Sequence, residues 1–180
     1  GHVKLFGFDV TIENPKGSER KGVDASGQPW SVTMNNTYGY IRGTEGVDGD
    51  HIDVFLSDKP EEGRVFVVDQ SNPDGSFDES KVMYGFNSLE EAREAYLSNY
   101  DAGWESRIMA ITEVSKEEFK KWIDSSTRKT KAFSEYKSVK PEEKPEFDFD
   151  SINELKDASR TVQKVVKESS IRAYNNALVK

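Results

Sequence analysis

"VDGDHIDVF", residues 47–55, sets Asp48, Asp50 and Asp53 at the mouth of what reads as a strand. Ile52, Val54 and Leu56 alternate with Asp53 and Phe55, the period-two pattern of a pleated element. Crowded carboxylates repel, and each costs on the order of several kcal/mol to bury unpaired. Something positive therefore sits among them, or the site is fully wet. A single Asp-Gly would be an ordinary turn, with Gly49 allowing the bend and Asp48 capping it. Three acids entering one strand ask for more. A helix-loop-helix calcium loop is excluded, because its fifth and twelfth positions counted from Asp48 would be Ile52 and Lys59. An all-oxygen divalent site survives, and magnesium, or alternatively manganese, suits it best.

Outward from this stretch, residues 3–87 read as strands and turns. "VKLFGFDVTIE" alternates until Asn14-Pro15-Lys16-Gly17 breaks it. "QPWSVTM", "YGYI" and "HIDVFL" follow as strands, and "RVFVVDQ" and "KVMYGF" flank a wide hairpin, "SNPDGSFDES". Ser88 with Glu91 forms a capping box ahead of a helix whose Leu89, Ala92, Ala95, Tyr96 and Tyr100 share a face. "RIMAITEV" is a further strand. Ser115 with Glu118 opens a short helix carrying Phe119, Trp122 and Ile123. Short strands with late helices predict an α+β domain built on a curled antiparallel sheet or small barrel over residues 1–137. Trp30, Trp104 and Trp122 are expected in its core. The proline- and acid-containing stretch after Lys137 reads as a linker, 138–150. Ser151 with Glu154 opens an amphipathic helix over 151–180, with a narrow stripe of Ile152, Leu155, Ala158, Val162 and Val165.

Composition bounds the function. The 180 residues are 34% hydrophobic and 32% charged, with a formal net charge of −8. Duplex nucleic acid asks for a basic face, and none of the required size is present, so no nucleic-acid partner is expected. There is no cysteine and there are two histidines, which excludes disulfide and thiolate chemistry and leaves too few ligands for structural zinc. No apolar run approaches the ~18 residues of a membrane span, and no signal peptide is visible, so a cytoplasmic location away from membranes is expected.

Further chemistry surrounds the aspartates. Tyr38 lies ten residues before Asp48, "ENPKGSERK" offers Glu13 with Lys16, Arg20 and Lys21, and "PDGSFDESK" offers Asp74, Asp78, Glu79 and Lys81. Acids interleaved with lysines and tyrosines suit a small metal-phosphate substrate. Taken singly, each has a plainer role. Asp74-Gly75 is a good hairpin turn, Tyr38 could be a core tyrosine, lysines are usually surface charges, and His51 is expected to be structural.

Asp48-Gly49-Asp50-His51-Ile52-Asp53-Val54 resembles the D-x-D-P-x-D-V signature of family I soluble inorganic pyrophosphatases, and Tyr38-Gly39-Tyr40-Ile41 matches that family at the right spacing. The nearest likeness is to the pyrophosphatase-like domain of polyvalent proteins of phages and conjugative elements, whose run "ENPKGS…YGYI.GT.GVDGDHIDVF…VFVVDQ…FDE.KVM.GF" is nearly reproduced over residues 3–137. The resemblance implies a five-stranded antiparallel barrel with outer helices. It implies that Asp48, Asp50, Asp53, Asp74 and Glu79 bind magnesium, that Asp50 orients or deprotonates the attacking water, and that Glu13 aids its positioning. It implies that Lys16, Lys21, Lys81, Tyr38 and Tyr100 hold phosphate. The chain departs from the signature at His51 (proline), at Met34 (a site tyrosine) and at Asp101 (a lysine). The family's phosphate-binding arginine falls to Arg20 or Arg42. The expected activity is magnesium-dependent hydrolysis of inorganic pyrophosphate. The alternatives are hydrolysis of a nucleotide or other phosphoanhydride, or an inactive metal-phosphate-binding module of a phage protein. Homo-oligomers or neighbouring domains of a larger protein are the macromolecular partners that fit.

Overall fold

The computed structural model describes residues 1–125 and 131–138, within the unit Gly1–Val139. Of the expected linker only Ser138 is described, as the last residue of a helix; the rest of it and the helix expected over 151–180 lie outside the described residues.

Nine strands, three α-helices and one 3-10 turn (Trp104–Arg107) are described: β1 (His2–Leu5), β2 (Phe8–Asn14), β3 (Glu19–Val23), β4 (Pro29–Thr33), β5 (Thr37–Ile41), β6 (Ile52–Leu56), β7 (Arg64–Ser71), β8 (Phe77–Phe86), α1 (Leu89–Leu97), β9 (Ile108–Val114), α2 (Lys116–Asp124) and α3 (Phe133–Ser138). Seven strands form one sheet in the order β1-β2-β5-β6-β8-β7-β9, and β3 pairs with β4 alone. The architecture is α+β, but the sheet is not the closed five-stranded barrel expected: β1 and β9 are its two ends. The stretch read as one strand, "VKLFGFDVTIE", folds back on itself. Phe6 and Gly7 both take positive φ (47° and 85°), and β1 pairs antiparallel with β2 across this two-residue turn. All ladders are antiparallel except β6 with β8, where Val54, Phe55 and Leu56 face Val82, Met83 and Tyr84 in parallel.

The central strands are buried on both faces, so their sequences run apolar without alternation. Parity still sorts the side chains. Val54, Val65, Val67, Val82 and Tyr84 join a core with Phe119 and Trp122 of α2 and Phe133 of α3. Phe55, Phe66, Val68 and Met83 join a second core with Tyr38, Met34 and the Ala92 and Tyr96 of α1. Asp53 and Lys81 have the parity of Phe55 and Met83, which directs them to the α1 side. On the opposite side, buried Asp69 accepts from the Ser80 hydroxyl (2.7 Å) and from the backbone N–H groups of Phe133 (2.7 Å) and Ser134 (3.0 Å), tying α3 to the sheet.

Ser88 and Ser115 cap their helices as expected, accepting from Glu91 N and Glu118 N at 3.1 Å each, while Glu91 Oε2 accepts from Asn87 N at 2.8 Å. Trp122 is in the core as expected. Trp30 is not: it is 37% exposed, on the outlying hairpin.

Candidate functional site

The site is built around Lys81. Its side chain is 4% exposed, and its ammonium lies between two acids, 2.6 Å from Asp53 Oδ2 and 2.8 Å from Glu79 Oε1. Strand parity explains the trio: Glu79 and Lys81 are two apart on β8, and Asp53 projects to the same face from neighbouring β6. The hydroxyl of Tyr38, from β5 on the other side of β6, donates to the same Asp53 oxygen. Arg20 of β3 completes the chain. Its Nη2 donates to the Tyr38 hydroxyl at 3.1 Å, and its guanidinium lies 4.3 Å from the Tyr38 ring centroid.

Tyr100, just beyond α1, closes the site from above. Its ring stacks on Trp104 (4.6 Å between centroids, 2° between planes), while its buried hydroxyl has no hydrogen-bond partner. Trp104 Nε1 donates to Tyr96 Oη (2.9 Å), Tyr96 Oη donates to Gln70 Oε1 (2.5 Å), and Gln70 Nε2 donates to Asp78 Oδ2 (2.8 Å). This buried polar chain fixes the aromatic wall and brings Asp78 beside Glu79, where its charge acts on the Glu79 carboxyl.

The electrostatics follow from this crowding. Burial alone would depress the Lys81 ammonium, but nearby Tyr100, Asp53, Tyr38 and Glu79 more than offset it and hold its pKa well above lysine's ordinary value. Burial raises Glu79, against the pull of Lys81. Burial pushes the Tyr100 hydroxyl up to about 12 and raises that of Tyr38, with Lys81 opposing both. Near neutral pH the site thus presents one buried cation and two neutral phenols, of which Tyr38 donates to Asp53 and Tyr100 has no partner.

The other residues singled out in the sequence are placed differently. Asp48 and Asp50 are exposed on the loop before β6, where Asp48 Oδ1 accepts from Asp50 N at 3.1 Å. The expected structural role of His51 has a geometry. Its ring stacks on Tyr40 (4.6 Å, 8°) and its Nδ1 lies 2.8 Å from the Thr44 carbonyl, bracing the loop where the signature has proline. Asp74 is exposed and caps the hairpin turn, accepting from Ser76 N (2.9 Å) and Ser76 Oγ (2.6 Å). Glu13 is exposed, and Lys16 pairs with Asp58 at 2.7 Å. Lys21 points to the outer face of its hairpin and pairs with Glu19 at 2.9 Å. Met34 is buried in the α1-side core and Asp101 is exposed. Arg20 is thus the arginine that reaches the site. Asp78, beside Glu79 on β8, acts on the Glu79 carboxyl, whereas Asp74 is held in its turn by Ser76.

Of the five acids expected to bind magnesium, Asp53 and Glu79 meet at Lys81, Asp48 lines a small cavity together with Glu79, and Asp50 and Asp74 are exposed. Among the described residues no group of three or more His, Asp or Glu side chains is placed to hold a metal ion. The hard oxygen donors suit magnesium, but the Lys81 ammonium lies between Asp53 and Glu79, while Asp48 and Asp50 stand out on their loop. The arrangement as it stands does not fit a resident metal cluster.

Residues 1–124 match the family model described as Inorganic Pyrophosphatase. The chain belongs to the inorganic pyrophosphatase family. No curated protein and no solved structure matches it. Members of this family generally use magnesium. Among the described residues, no helix of this pyrophosphatase-family chain is long and apolar enough to cross a membrane.

Proposed function

We propose that the chain hydrolyses the phosphoanhydride bond of inorganic pyrophosphate on the α1 side of the sheet. The observation that carries this is the Tyr100 hydroxyl, buried without a partner beside the buried Lys81 ammonium. An unsatisfied buried donor costs about 1–3 kcal/mol, which a phosphate oxygen accepting from it would relieve. Lys81, Arg20, Tyr38 and Tyr100 then hold the phosphate oxygens and neutralise the charge that develops on them. Asp50, on the solvent-facing loop, takes a proton from the attacking water. A P–O bond forms to that water, the bridging P–O bond breaks, and two phosphates leave. Magnesium enters through the family and the tri-aspartate spacing, with manganese as its substitute, and no step is assigned to it here. Membership of a phage or conjugative-element polyvalent protein, supported by the sequence run quoted above, belongs to the same proposal. So do a cytoplasmic location and the domain boundary after Lys137.

The deciding assay is release of phosphate from pyrophosphate in buffers with and without magnesium. Multiple turnover with magnesium is the expected result. Release from nucleotides alone would replace pyrophosphate as the substrate. Pyrophosphate that binds without being cleaved would make the chain a binding module, the outcome that Met34 and Asp101 favour by removing a hydroxyl and a cation from the family's set.

The hairpin offers a sharper test, because Arg20 and Lys21 are neighbours on opposite faces. Arg20→Ala should raise KM for pyrophosphate by about ten-fold or more, since hydrogen bonds to charged groups are worth roughly 1.5–3 kcal/mol. Lys21→Ala should change KM by less than about two-fold, as expected for an exposed ion pair. Equal effects would mean that the hairpin's inner face is not the phosphate-binding one.

A further inference from the structure

The β3–β4 hairpin carries more on its inner face than Arg20. Cross-strand partners share a face, so Arg20 with Val32 and Gly22 with Trp30 lie on one side, and Glu19 with Thr33 and Lys21 with Ser31 lie on the other. The first side is turned to the site: Arg20 reaches Tyr38, and Val32 packs on the cluster of Met34 and Tyr38. Trp30 extends that side outward. A Cβ placed on Gly22 would stand 2.4 Å from the indole Cζ2, so the ring lies across bare backbone that a side chain would obstruct. The indole thus rests on the Gly22 backbone, yet it belongs to neither buried cluster and remains 37% exposed. The Arg20 guanidinium lies 5.6 Å from its centroid and 4.3 Å from that of Tyr38. A flat, partly open aromatic surface thus adjoins Arg20, the outermost cation of the proposed phosphate site.

Free pyrophosphate has no group that could use such a surface. We propose that Trp30 stacks the base of a nucleoside diphosphate or triphosphate whose phosphates reach Arg20 and Lys81, so that the site takes nucleoside phosphoanhydrides as well as pyrophosphate. This rests on the assignment of the α1-side cluster as the phosphate site. With a nucleoside diphosphate, water adds to the terminal phosphorus, the bond from that phosphorus to the bridging oxygen breaks, and a nucleoside monophosphate and phosphate leave with one proton released. Every base offers a π-face, so stacking of this kind discriminates little between purines.

The test compares ADP, GDP and pyrophosphate as substrates of the full chain and of Trp30→Ala and Trp30→Phe. Stacking on an aromatic side chain is worth roughly ten-fold per base. Trp30→Ala is therefore expected to lower kcat/KM for ADP and GDP about ten-fold more than for pyrophosphate, and Trp30→Phe to recover most of that difference. A loss of the same factor for all three substrates would make Trp30 a support for Arg20 and overturn the proposal, as would wild-type protein that cleaves pyrophosphate but neither nucleotide. If none of the three releases phosphate, the hydrolase reading fails separately. Equilibrium dialysis of ADP then decides the subsite: binding about ten-fold weaker in Trp30→Ala upholds it, and equal binding or none overturns it.

Discussion

Lys81→Met is expected to abolish turnover and to remove about 3 kcal/mol of stability, more at pH 8 than at pH 5. Methionine keeps the length and apolar character of the stem, so the change isolates the ammonium. Without it Asp53 and Glu79 face each other from adjacent strands with no cation between them, and removing one partner of a buried ion pair costs about 3–5 kcal/mol. The lower figure applies because both acids keep some exposure. Turnover falls because the same ammonium is the buried charge available to a phosphate oxygen. The pH dependence follows from the shifts. The Lys81 pKa is raised on folding, so its contribution is complete below lysine's ordinary value of about 10.4 and is lost as pH climbs through the higher folded value. Wild-type stability should therefore decline on the alkaline side, and the variant should lack that limb. Glu79 is also raised, and in the variant nothing opposes the burial that raises it. The folded variant then holds a proton on Glu79 more tightly than the unfolded chain does, so its stability falls as pH rises from about 4.3, glutamate's ordinary value, through the raised one. Thermal unfolding of both proteins across pH 4–11 reads both limbs. A variant as stable as wild type at pH 8 would show that the two acids do not depend on Lys81.

Lys81, Asp53, Glu79, Tyr38 and Tyr100 are all reached from the sequence through the family resemblance; which of Arg20 and Lys21 joins them comes down to strand parity. Parity is legible where a strand is: "HIDVFL" and "KVMYGF" read as strands, so Asp53 and Lys81 could be placed on definite faces. The helices were legible for a similar reason, since Ser88 with Glu91 and Ser115 with Glu118 are local chemistry that needs no tertiary partner. β3 was not legible. "ERKGV" has no apolar alternation, because this hairpin pairs outside the main sheet and its outer face is wet. With no strand there, Arg20 and Lys21 were two adjacent cations with nothing to separate them, and the pairing with β4 is what turns one inward. The first strand was misread at one turn: Phe6 is no turn former by composition, yet it takes positive φ beside Gly7 and splits one expected strand into two. Asp74 and Asp78 show the limit of spacing arguments. Asp74 is held by the Ser76 it caps, whereas Asp78 depends on Gln70 and, through it, on Tyr96 and Trp104, a chain no local pattern announces.

Asp50→Asn should lower kcat by about 10²–10⁴-fold, the range of a lost general base, while shifting the unfolding free energy by no more than about 0.5 kcal/mol. The two halves of this expectation come from different observations. The stability half follows from exposure: Asp50 stands on the loop surface, its backbone N–H donates to Asp48 and its carbonyl accepts from Gly46 N at 2.7 Å, and an isosteric amide leaves both bonds in place. The activity half follows from its position between Asp48 and Asp53 in the signature, and from the competing claims on its neighbours. The Asp53 carboxylate accepts from Tyr38 and Lys81, and Asp48 Oδ1 holds the loop's own backbone. That leaves Asp50 as the signature carboxylate best able to take a proton from water without breaking a contact that shapes the site. Asp48→Asn separates the two roles, because an amide oxygen still accepts from Asp50 N: it should keep the loop's shape and cost less turnover than Asp50→Asn. The measurement is kcat with saturating pyrophosphate for both variants, paired with their unfolding curves. If Asp50→Asn turned over at the wild-type rate, the proton would go elsewhere, and Glu79, whose pKa is already raised, would become the base to test next.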